Sequence, residues 1–385
     1  MSGIYIHIPF CKQACHYCDF HFSTSMKKKD EMVLALVKEL IMRAGEFKNE
    51  IVETIYFGGG TPSVLDISEL KLLIDTVYQN YNVAENPEIT LEANPDDLTT
   101  ASVRAQSRTL FKNYISIGIN RLSIGIQSFF DDDLKLMNRA HNAEEALTTL
   151  IKATKHFDNI SVDLIYGIPG LSNKRWKQNI EAVLSLGIPH ISSYALTVEP
   201  KTALKKLIQT GKIAEPNDEV AQEQFVILVE TLQAKGFIHY ELSNFGKENY
   251  FSKNNSSYWL GKKYLGIGPS AHSYNGVSRS WNVANNSLYL KSIQENQLPN
   301  EIEVLSINDR YNEYIMTGLR TIWGVDLNRI ESEFGMKTLT YLRKQAQKFL
   351  DDGLLSIDNH ILKTTPKGKF LTDGIASDLF LLNLE

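Results

Sequence analysis

Cysteine is scarce in this chain of 385 residues: only three are present, at positions 11, 15 and 18. An odd number of cysteines at such short spacing excludes a disulfide framework. In a reducing cytosol, clustered cysteines instead indicate metal binding or catalysis. We therefore examine this short segment first as a possible metal site.

Long apolar runs are also missing. No stretch approaches the roughly 18 apolar residues of a membrane-spanning helix, so we do not expect an integral membrane protein. The opening segment, MSGIYIHIPFCK, lacks the basic and apolar regions of a signal peptide. Together these two features predict a cytoplasmic location.

Positive charge is not in excess. The 40 Lys and Arg residues against 45 Asp and Glu residues give a formal net charge of −5. Such a balance does not support bulk nucleic-acid binding, which usually leaves a basic surface. The 43% hydrophobic and 22% charged residues are those of a globular protein of one large and one smaller domain, or of two to three domains.

The first two-thirds of the chain alternates short apolar runs with longer amphipathic segments. The predicted strands are Tyr5–Ile8, Thr54–Phe57, Glu88–Glu92, Arg121–Gly125, Ser161–Ile165 and His190–Ala195. The predicted helices between them are Lys29–Met42, Ile67–Tyr81, Thr100–Tyr114, Ala143–His156 and Asn173–Leu186. This repetition predicts an α/β fold with a buried parallel sheet, either doubly wound or a full or partial (β/α) barrel of about six strands.

The pattern changes in the last third. Helical patterns at Arg310–Thr321, Leu327–Phe334 and Thr338–Asp352 precede a hairpin pattern in GLLSIDNHILKTTPKGKFL, which resembles a winged helix. Winged helices often bind DNA, but without an evident basic surface we favour packing against the neighbouring domain. We therefore expect a barrel domain at residues 1–240, a connecting region closing the barrel at 241–305, and a winged-helix-like α+β domain at 306–385.

The three cysteines form the pattern C-x3-C-x2-C just after the first predicted strand. Three thiolates at this spacing can hold three irons of a [4Fe–4S] cubane, whereas cluster proteins that only carry electrons normally use four. No fourth cysteine exists in the chain, so one iron would stay open for a non-protein ligand. A zinc site completed by His7, His16 or His21 is the alternative, as are three unrelated buried cysteines.

The cysteine pattern resembles the signature of the radical S-adenosylmethionine (SAM) superfamily. Further motifs along nearly the whole chain resemble oxygen-independent coproporphyrinogen III oxidases and their relatives, most of all the heme chaperone (HemW) subgroup. These motifs are YIHIPFC, CDF, YFGGGTPS, LEANPDDL, RLSIGIQSF, RAH, VDLIYGIPG, SSYALTVEP and LGIGPSAH. The resemblance implies that the C-terminal domain is of the HemN C-terminal type.

Two features separate the subgroups of this family. The oxidase has a further cysteine two residues after the third, where this chain has Phe20, and a long extension before its first strand. Both differences favour the chaperone. The chaperone motif H-N-x-x-Y-W begins here with Asn254 instead of histidine, which leaves His272 and Tyr258 as substitute candidates for heme contact.

The resemblance also implies cofactor contacts. Cys11, Cys15 and Cys18 would hold the cluster, and SAM would chelate its open iron and release a 5′-deoxyadenosyl radical after one-electron reduction. The implied SAM contacts are Tyr5, Tyr17, Gly59, Gly60, Thr61, Glu92, Gln127, Arg139, Asp163 and Ala195. Taken singly, the polar residues among them are equally compatible with structural ion pairs or capped turns, and the glycines with a tight turn.

The function implied by the resemblance lies in heme metabolism. A heme chaperone would bind heme or another porphyrin and deliver it to an acceptor protein, with electrons from a flavodoxin or ferredoxin. The alternatives are a coproporphyrinogen III oxidase or another radical enzyme such as a methyltransferase, so whether the protein is an enzyme stays open. The segment Ser102–Ile119 is longer than expected for the family and has no functional interpretation.

Overall fold

The computed structural model describes residues 2–99 and 107–382. Six parallel strands form the centre of the main sheet, and each contains one of the six predicted strands. They are β1 (Ser2–Ile8), β2 (Val52–Gly59), β3 (Val83–Ala93), β4 (Arg121–Gln127), β5 (Ile160–Tyr166) and β6 (His190–Ala195). The sheet runs in sequence order from β1 to β6, which confirms the predicted α/β fold.

Further strands extend this sheet at both edges. They are β7 (Ile238–Glu241), β8 (Asn244–Gly246), β9 (Lys263–Ile267), β10 (His272–Tyr274), β11 (Ser278–Asn282) and β12 (Asn300–Val304). Strand β9 lies parallel to β1, whereas β10, β11 and β12 continue from it as an antiparallel extension. The region expected at 241–305 therefore contributes strands to both edges, and its bounds stay a proposal.

Helices follow most of the central strands and cover the sheet. They are α1 (Lys29–Arg43), α2 (Ile67–Asn80), α3 (Pro95–Thr99), α4 (Ser107–Ser116), α5 (Asp131–Leu136), α6 (Ala143–Ala153), α7 (Asn173–Ser185), α8 (Ala203–Gln209), α9 (Asp218–Ala234), α10 (Lys253–Trp259) and α11 (Asn286–Gln294). The start of the helix predicted at Thr100–Tyr114, like part of Ser102–Ile119, lies outside the described residues. Among the described residues, no helix combines the length and apolar character needed to cross a membrane.

Apolar side chains on the central strands explain why the sheet is buried. Strand β4 is buried along its whole length, and β5 at all but one position. Such continuous burial is typical of parallel strands with helices on one face and a filled interior on the other. The polar exceptions on these strands lie near their carboxyl ends, where (β/α) folds build their binding sites.

A second hydrophobic core belongs to the C-terminal part of the chain and includes Tyr311, Ile315, Leu342 and Leu362. Its helices are α12 (Ile307–Leu319), α13 (Leu327–Phe334), α14 (Met336–Asp351) and α15 (Thr372–Asp378). Its antiparallel sheet consists of β13 (Val325–Asp326), β14 (Leu355–Asp358) and β15 (Ile361–Thr364). This smaller α+β unit confirms the second part of the predicted fold class, while the boundary at residue 306 stays a proposal.

Candidate functional site

A cavity of about 720 Å³ opens at the carboxyl ends of the central strands, and we call it the first cavity. Most of the predicted site residues line it: Cys11, Cys15, Tyr17, Cys18, Gly59, Gly60, Thr61, Glu92, Gln127, Arg139 and Asp163. Residues that were not predicted also line it: Gln13, Phe20, Phe22, Pro62, Ala93, Asn94, Ser123 and Gly125. Of the predicted contacts, Tyr5 lies in a neighbouring cavity and Ala195 is not among the lining residues.

The three cysteines lie on the loop that follows β1. Backbone hydrogen bonds hold this loop at both ends: Cys11 N donates to the Ser23 carbonyl at 3.0 Å, and His16 N donates to the Met137 carbonyl at 3.0 Å. The Asn138 side chain adds a bond to the loop at 2.7 Å. The loop is thus held against the turn after α5, which places all three half-buried thiols on the first cavity.

Two of the thiols have a polar partner from another strand. The Thr61 hydroxyl lies 3.4 Å from the Cys11 sulfur, and Arg139 Nη1 lies 3.3 Å from the Cys15 sulfur. The other terminal nitrogen of Arg139 donates to Asn94 Oδ1 at 2.7 Å and to the Gly125 carbonyl at 2.8 Å. Arg139 therefore joins the cysteine loop to the ends of two strands.

Asn94 is a site residue that the sequence reasoning missed. It accepts from Arg139, and its own amide donates to the Thr61 hydroxyl at 3.2 Å. Its signal was available, because it stands within the motif LEANPDDL two residues after Glu92. Ser123 had a signal as well, since it alternates with Gly125 along β4 and alternate residues share one face of a strand.

The glycines after β2 allow a close approach of two backbone segments. A Cβ atom on Gly60 would lie 2.6 Å from the Phe10 carbonyl oxygen, and Gly59 has a φ of +110°. A side chain at Gly60 would therefore push the cysteine loop away from β2. These glycines serve the tight turn that was one interpretation of the sequence, and they also line the first cavity.

Two carboxyl groups lie at the inner end of the first cavity. Burial raises the pKa of Glu92 to about 7, although the Tyr56 hydroxyl that donates to it at 2.7 Å acts in the opposite direction. Burial also raises the pKa of Asp163 to about 6, against the charge of Arg121. Both carboxylates therefore lack a sufficient positive partner within the protein, as expected where a cationic ligand binds.

Gln127 ends β4 with a φ of +67°, which is unfavourable for a residue other than glycine. Strain of this kind costs on the order of 1–3 kcal/mol and is common at binding sites. The side chain lines the first cavity from the strand next to Asp163. The strained backbone thus belongs to the cavity rather than to the supporting helices.

The donor set fits the implied cofactors. Three thiols with no other cysteine in the chain suit a cubane with one open iron. No three His, Cys, Asp or Glu side chains in the described parts of the chain are grouped to hold a single metal ion, whereas a cubane takes each thiolate on a different iron. SAM carries a sulfonium and an ammonium group, which suit the two carboxyl groups that lack positive partners.

The histidines proposed as zinc ligands are engaged elsewhere. His7 Nε2 contacts the His21 carbonyl at 3.0 Å and its Nδ1 contacts the Tyr5 hydroxyl at 3.2 Å. His16 Nδ1 contacts the Leu136 carbonyl at 2.8 Å. His21 Nε2 contacts an amide oxygen at 2.7 Å. These contacts orient all three rings toward protein partners instead of the cysteine sulfurs.

A second cavity of about 950 Å³ adjoins the first and shares Phe20, Gly59 and Glu92 with it. Its other lining residues are Tyr5, His7, His21, Tyr258, Tyr264, Ser270 and His272. The two residues named as substitutes for the missing heme-contacting histidine thus meet in this cavity, as Tyr258 from α10 and His272 from β10. Tyrosine and histidine side chains dominate its wall.

Asn254 lies away from both cavities. It is 2% exposed, its Oδ1 accepts from the Thr54 hydroxyl at 2.9 Å, and its Nδ2 donates to the Tyr258 hydroxyl at 3.2 Å. Its backbone N–H donates to Glu88, which anchors the start of α10. Asn254 therefore fastens α10 to the sheet and orients Tyr258, which lines the second cavity.

Two family models match the chain. The radical SAM superfamily matches residues 5–183, and the HemN C-terminal domain matches residues 305–371. A solved structure described as coproporphyrinogen III oxidase (HemN) from Escherichia coli, a radical SAM enzyme, covers 98% of this chain and 90% of its own, with a TM-score of 0.84. Its 22% sequence identity supports a shared fold.

Curated relatives match over almost their whole length. The heme chaperone HemW of Bacillus subtilis (strain 168) is 34% identical over 97% of this chain and 98% of its own. The heme chaperone HemW of Mycobacterium tuberculosis (strain ATCC 25618 / H37Rv) is 32% identical over 98% of this chain and 94% of its own. Radical SAM membership implies a [4Fe–4S] cluster and SAM as cofactors. The chain belongs to the heme chaperone HemW family within the radical SAM superfamily.

Proposed function

We propose that this protein binds heme and delivers it to acceptor proteins, and that Cys11, Cys15 and Cys18 hold its cluster. One observation of the structure carries the proposal. The second cavity opens directly from the first and is lined by tyrosine and histidine side chains, which suit a large flat aromatic ligand that contains iron. The similarity to heme chaperones along the whole chain supports it.

The residues of the first cavity would bind SAM in a defined orientation. Glu92 and Asp163 would receive its positive charge, and Gln127 and Tyr17 would complete the wall around it. The chemistry that the two cofactors supply when bound is one-electron cleavage of a sulfonium bond. Arg139 would keep the Cys15 sulfur in place through its bonds to Asn94 and Gly125.

Communication between the two ligands would pass through the residues that both cavities share. Glu92 and Phe20 line both spaces, so SAM in the first cavity would change the wall of the second. We propose that SAM and cluster regulate how tightly heme is held, with a small flavodoxin or ferredoxin in the cytoplasm as the electron donor. An acceptor protein would then take the heme from the open side of the second cavity.

A heme-transfer assay tests the proposal. The full chain, reconstituted without oxygen with iron and sulfide, is titrated with ferric heme at the Soret band and then mixed with an apo-hemoprotein. We expect saturable binding and transfer to the acceptor. Failure to bind heme, or conversion of coproporphyrinogen III under reducing conditions, would overturn it.

A further inference from the structure

Three tyrosines form one continuous surface between the barrel and the C-terminal unit, and we call it the tyrosine face: Tyr258, Tyr264 and Tyr274. The rings of Tyr258 and Tyr264 lie 4.6 Å apart between centroids, and those of Tyr264 and Tyr274 lie 6.2 Å apart. Tyr264 and Tyr274 are also direct partners across β9 and β10. Cross-strand partners point to the same side of a sheet, so the extension offers a flat aromatic surface.

A histidine stands beside the tyrosine face. His272 precedes Tyr274 by two residues in β10, so both side chains lie on the same side of the strand. The His272 side chain lines the second cavity, is exposed, and makes no hydrogen bond to another described residue. Among the histidines of this cavity, His7 and His21 have ring nitrogens engaged with protein oxygens. His272 is therefore the histidine with ring nitrogens free for a metal.

A third cavity, of about 840 Å³, lies at the other side of the tyrosine face. All three tyrosines line it, together with arginines from β11, α12 and α13: Arg279, Arg310 and Arg329. Arg279 pairs with Glu313 at 2.9 Å, and Arg329 pairs with Glu333 at 2.9 Å. Within the described residues, Arg310 has no carboxylate partner within 4.0 Å, and its Nε is buried without a hydrogen bond. An anionic group of a ligand is the partner that this arginine lacks.

We propose that an iron porphyrin lies across the tyrosine face, with His272 as a ligand of the iron and Arg310 bound to a propionate carboxylate. The inference deepens the proposed function and rests on it. An imidazole ligand, stacked aromatic rings and a planar guanidinium match the iron, the macrocycle and the carboxylates of heme in turn. The second and third cavities share Tyr258 and Tyr264, so one ligand can reach both.

The ligand to iron is tested with two porphyrins. Wild type, His272→Ala and His21→Ala are reconstituted as full chains and titrated with ferric heme and with iron-free protoporphyrin IX. We expect His272→Ala to weaken heme binding at least about tenfold and to change the Soret band and the electron paramagnetic resonance spectrum. Binding of the iron-free porphyrin stays within about twofold of wild type, and His360→Asn, in the exposed β14–β15 turn, serves as the control.

Several outcomes would overturn the assignment of His272. A wild-type heme spectrum in His272→Ala, loss of the spectrum in His21→Ala instead, or equal weakening of both porphyrins would each do so. Because wild type is titrated in parallel, these results would leave the proposed function intact. Wild type that binds no heme would overturn both.

The role of Arg310 is tested with ferric heme and its dimethyl ester, in which both propionates are uncharged. We expect Arg310→Ala to weaken binding of heme about tenfold and to leave binding of the ester unchanged. Equal effects on the two ligands, or none on either, would contradict the proposal. This variant keeps the test decisive if His272→Ala fails to fold, and circular dichroism with iron counting shows whether each variant has folded.

Discussion

The first cavity and the tyrosine face differ in how the chain builds them. The first cavity takes its walls from the ends of successive parallel strands, so each lining residue follows or ends a strand in a short motif. The tyrosine face joins α10, β9 and β10, and its arginines come from β11 and the C-terminal helices. Cofactor contacts in this fold are thus determined by strand order, whereas the proposed heme contacts depend on how two separate units pack.

The two regions also differ in polarity. The first cavity holds two carboxyl groups whose pKa values are raised by burial, together with a strained residue at Gln127. The tyrosine face presents aromatic rings and arginines, two of which already have carboxylate partners. The first cavity is therefore complementary to a cation, and the face to a flat anion. Each prediction below changes one region and measures whether the other responds.

The largest expected effect concerns the three thiols. Cys11→Ala, Cys15→Ala or Cys18→Ala should each lose nearly all of the cluster after anaerobic reconstitution, because each thiolate holds one iron. Absorbance in the charge-transfer region and counts of iron and sulfide measure the loss. Thr24→Ala, an exposed change on the same loop, should retain the cluster. A brown protein with full iron content after removal of all three thiols would refute the assignment.

Glu92 is expected to give the next largest effect. Glu92→Gln removes the negative charge but keeps the size, so SAM should bind about 10–100-fold more weakly, as for the loss of a charged hydrogen bond. Isothermal titration calorimetry on reconstituted protein measures the affinity. The control is Glu85→Gln, an exposed change on the same strand. Equal affinities for wild type and Glu92→Gln would mean that this carboxylate does not contact SAM.

The same carboxyl group should make stability depend on pH. Its pKa is about 7 in the folded protein against 4.5 as the ordinary value, so its contribution to stability is full below about 4.5 and is lost as the pH rises through 7. The loss should be on the order of 1–3 kcal/mol, since the group still reaches the cavity. Chemical unfolding of the ligand-free chain from pH 4.5 to 8 measures it. Glu92→Gln should flatten this decline, and an unchanged slope would contradict the assignment.

The smallest effect on heme binding is expected at Asn254. Asn254→His places the histidine of the chaperone motif in a buried space, where overpacking should cost about 1–3 kcal/mol of stability. Heme affinity should change less than about twofold, because the new ring would face Thr54 and not the tyrosine face. Thermal unfolding and heme titration measure the two effects, with Asn255→His as control. Tighter heme binding with a new histidine-ligated spectrum would place the ligand at Asn254 and contradict the role of His272.

Much of the fold could be predicted from local pattern. All six central strands lie where apolar runs indicate them, because a strand buried on both faces needs apolar residues throughout. Helix ends were also close: Leu327–Phe334 agrees at both bounds. The extension β9–β12 was not predicted, since its strands are short and carry tyrosine, serine and glutamate, a composition that does not distinguish edge strands from loops.

By itself, the sequence determined which chemistry the protein carries. Three thiols within one loop, with no fourth in the chain, define a cluster site at any level of structural detail. Only the tertiary structure decided that Tyr258, His272 and Arg310 stand around one connected space, and that Asn254 is enclosed within the protein. The reason is physical: motif spacing is a covalent property, whereas contacts between distant segments exist only after the two cores have packed together.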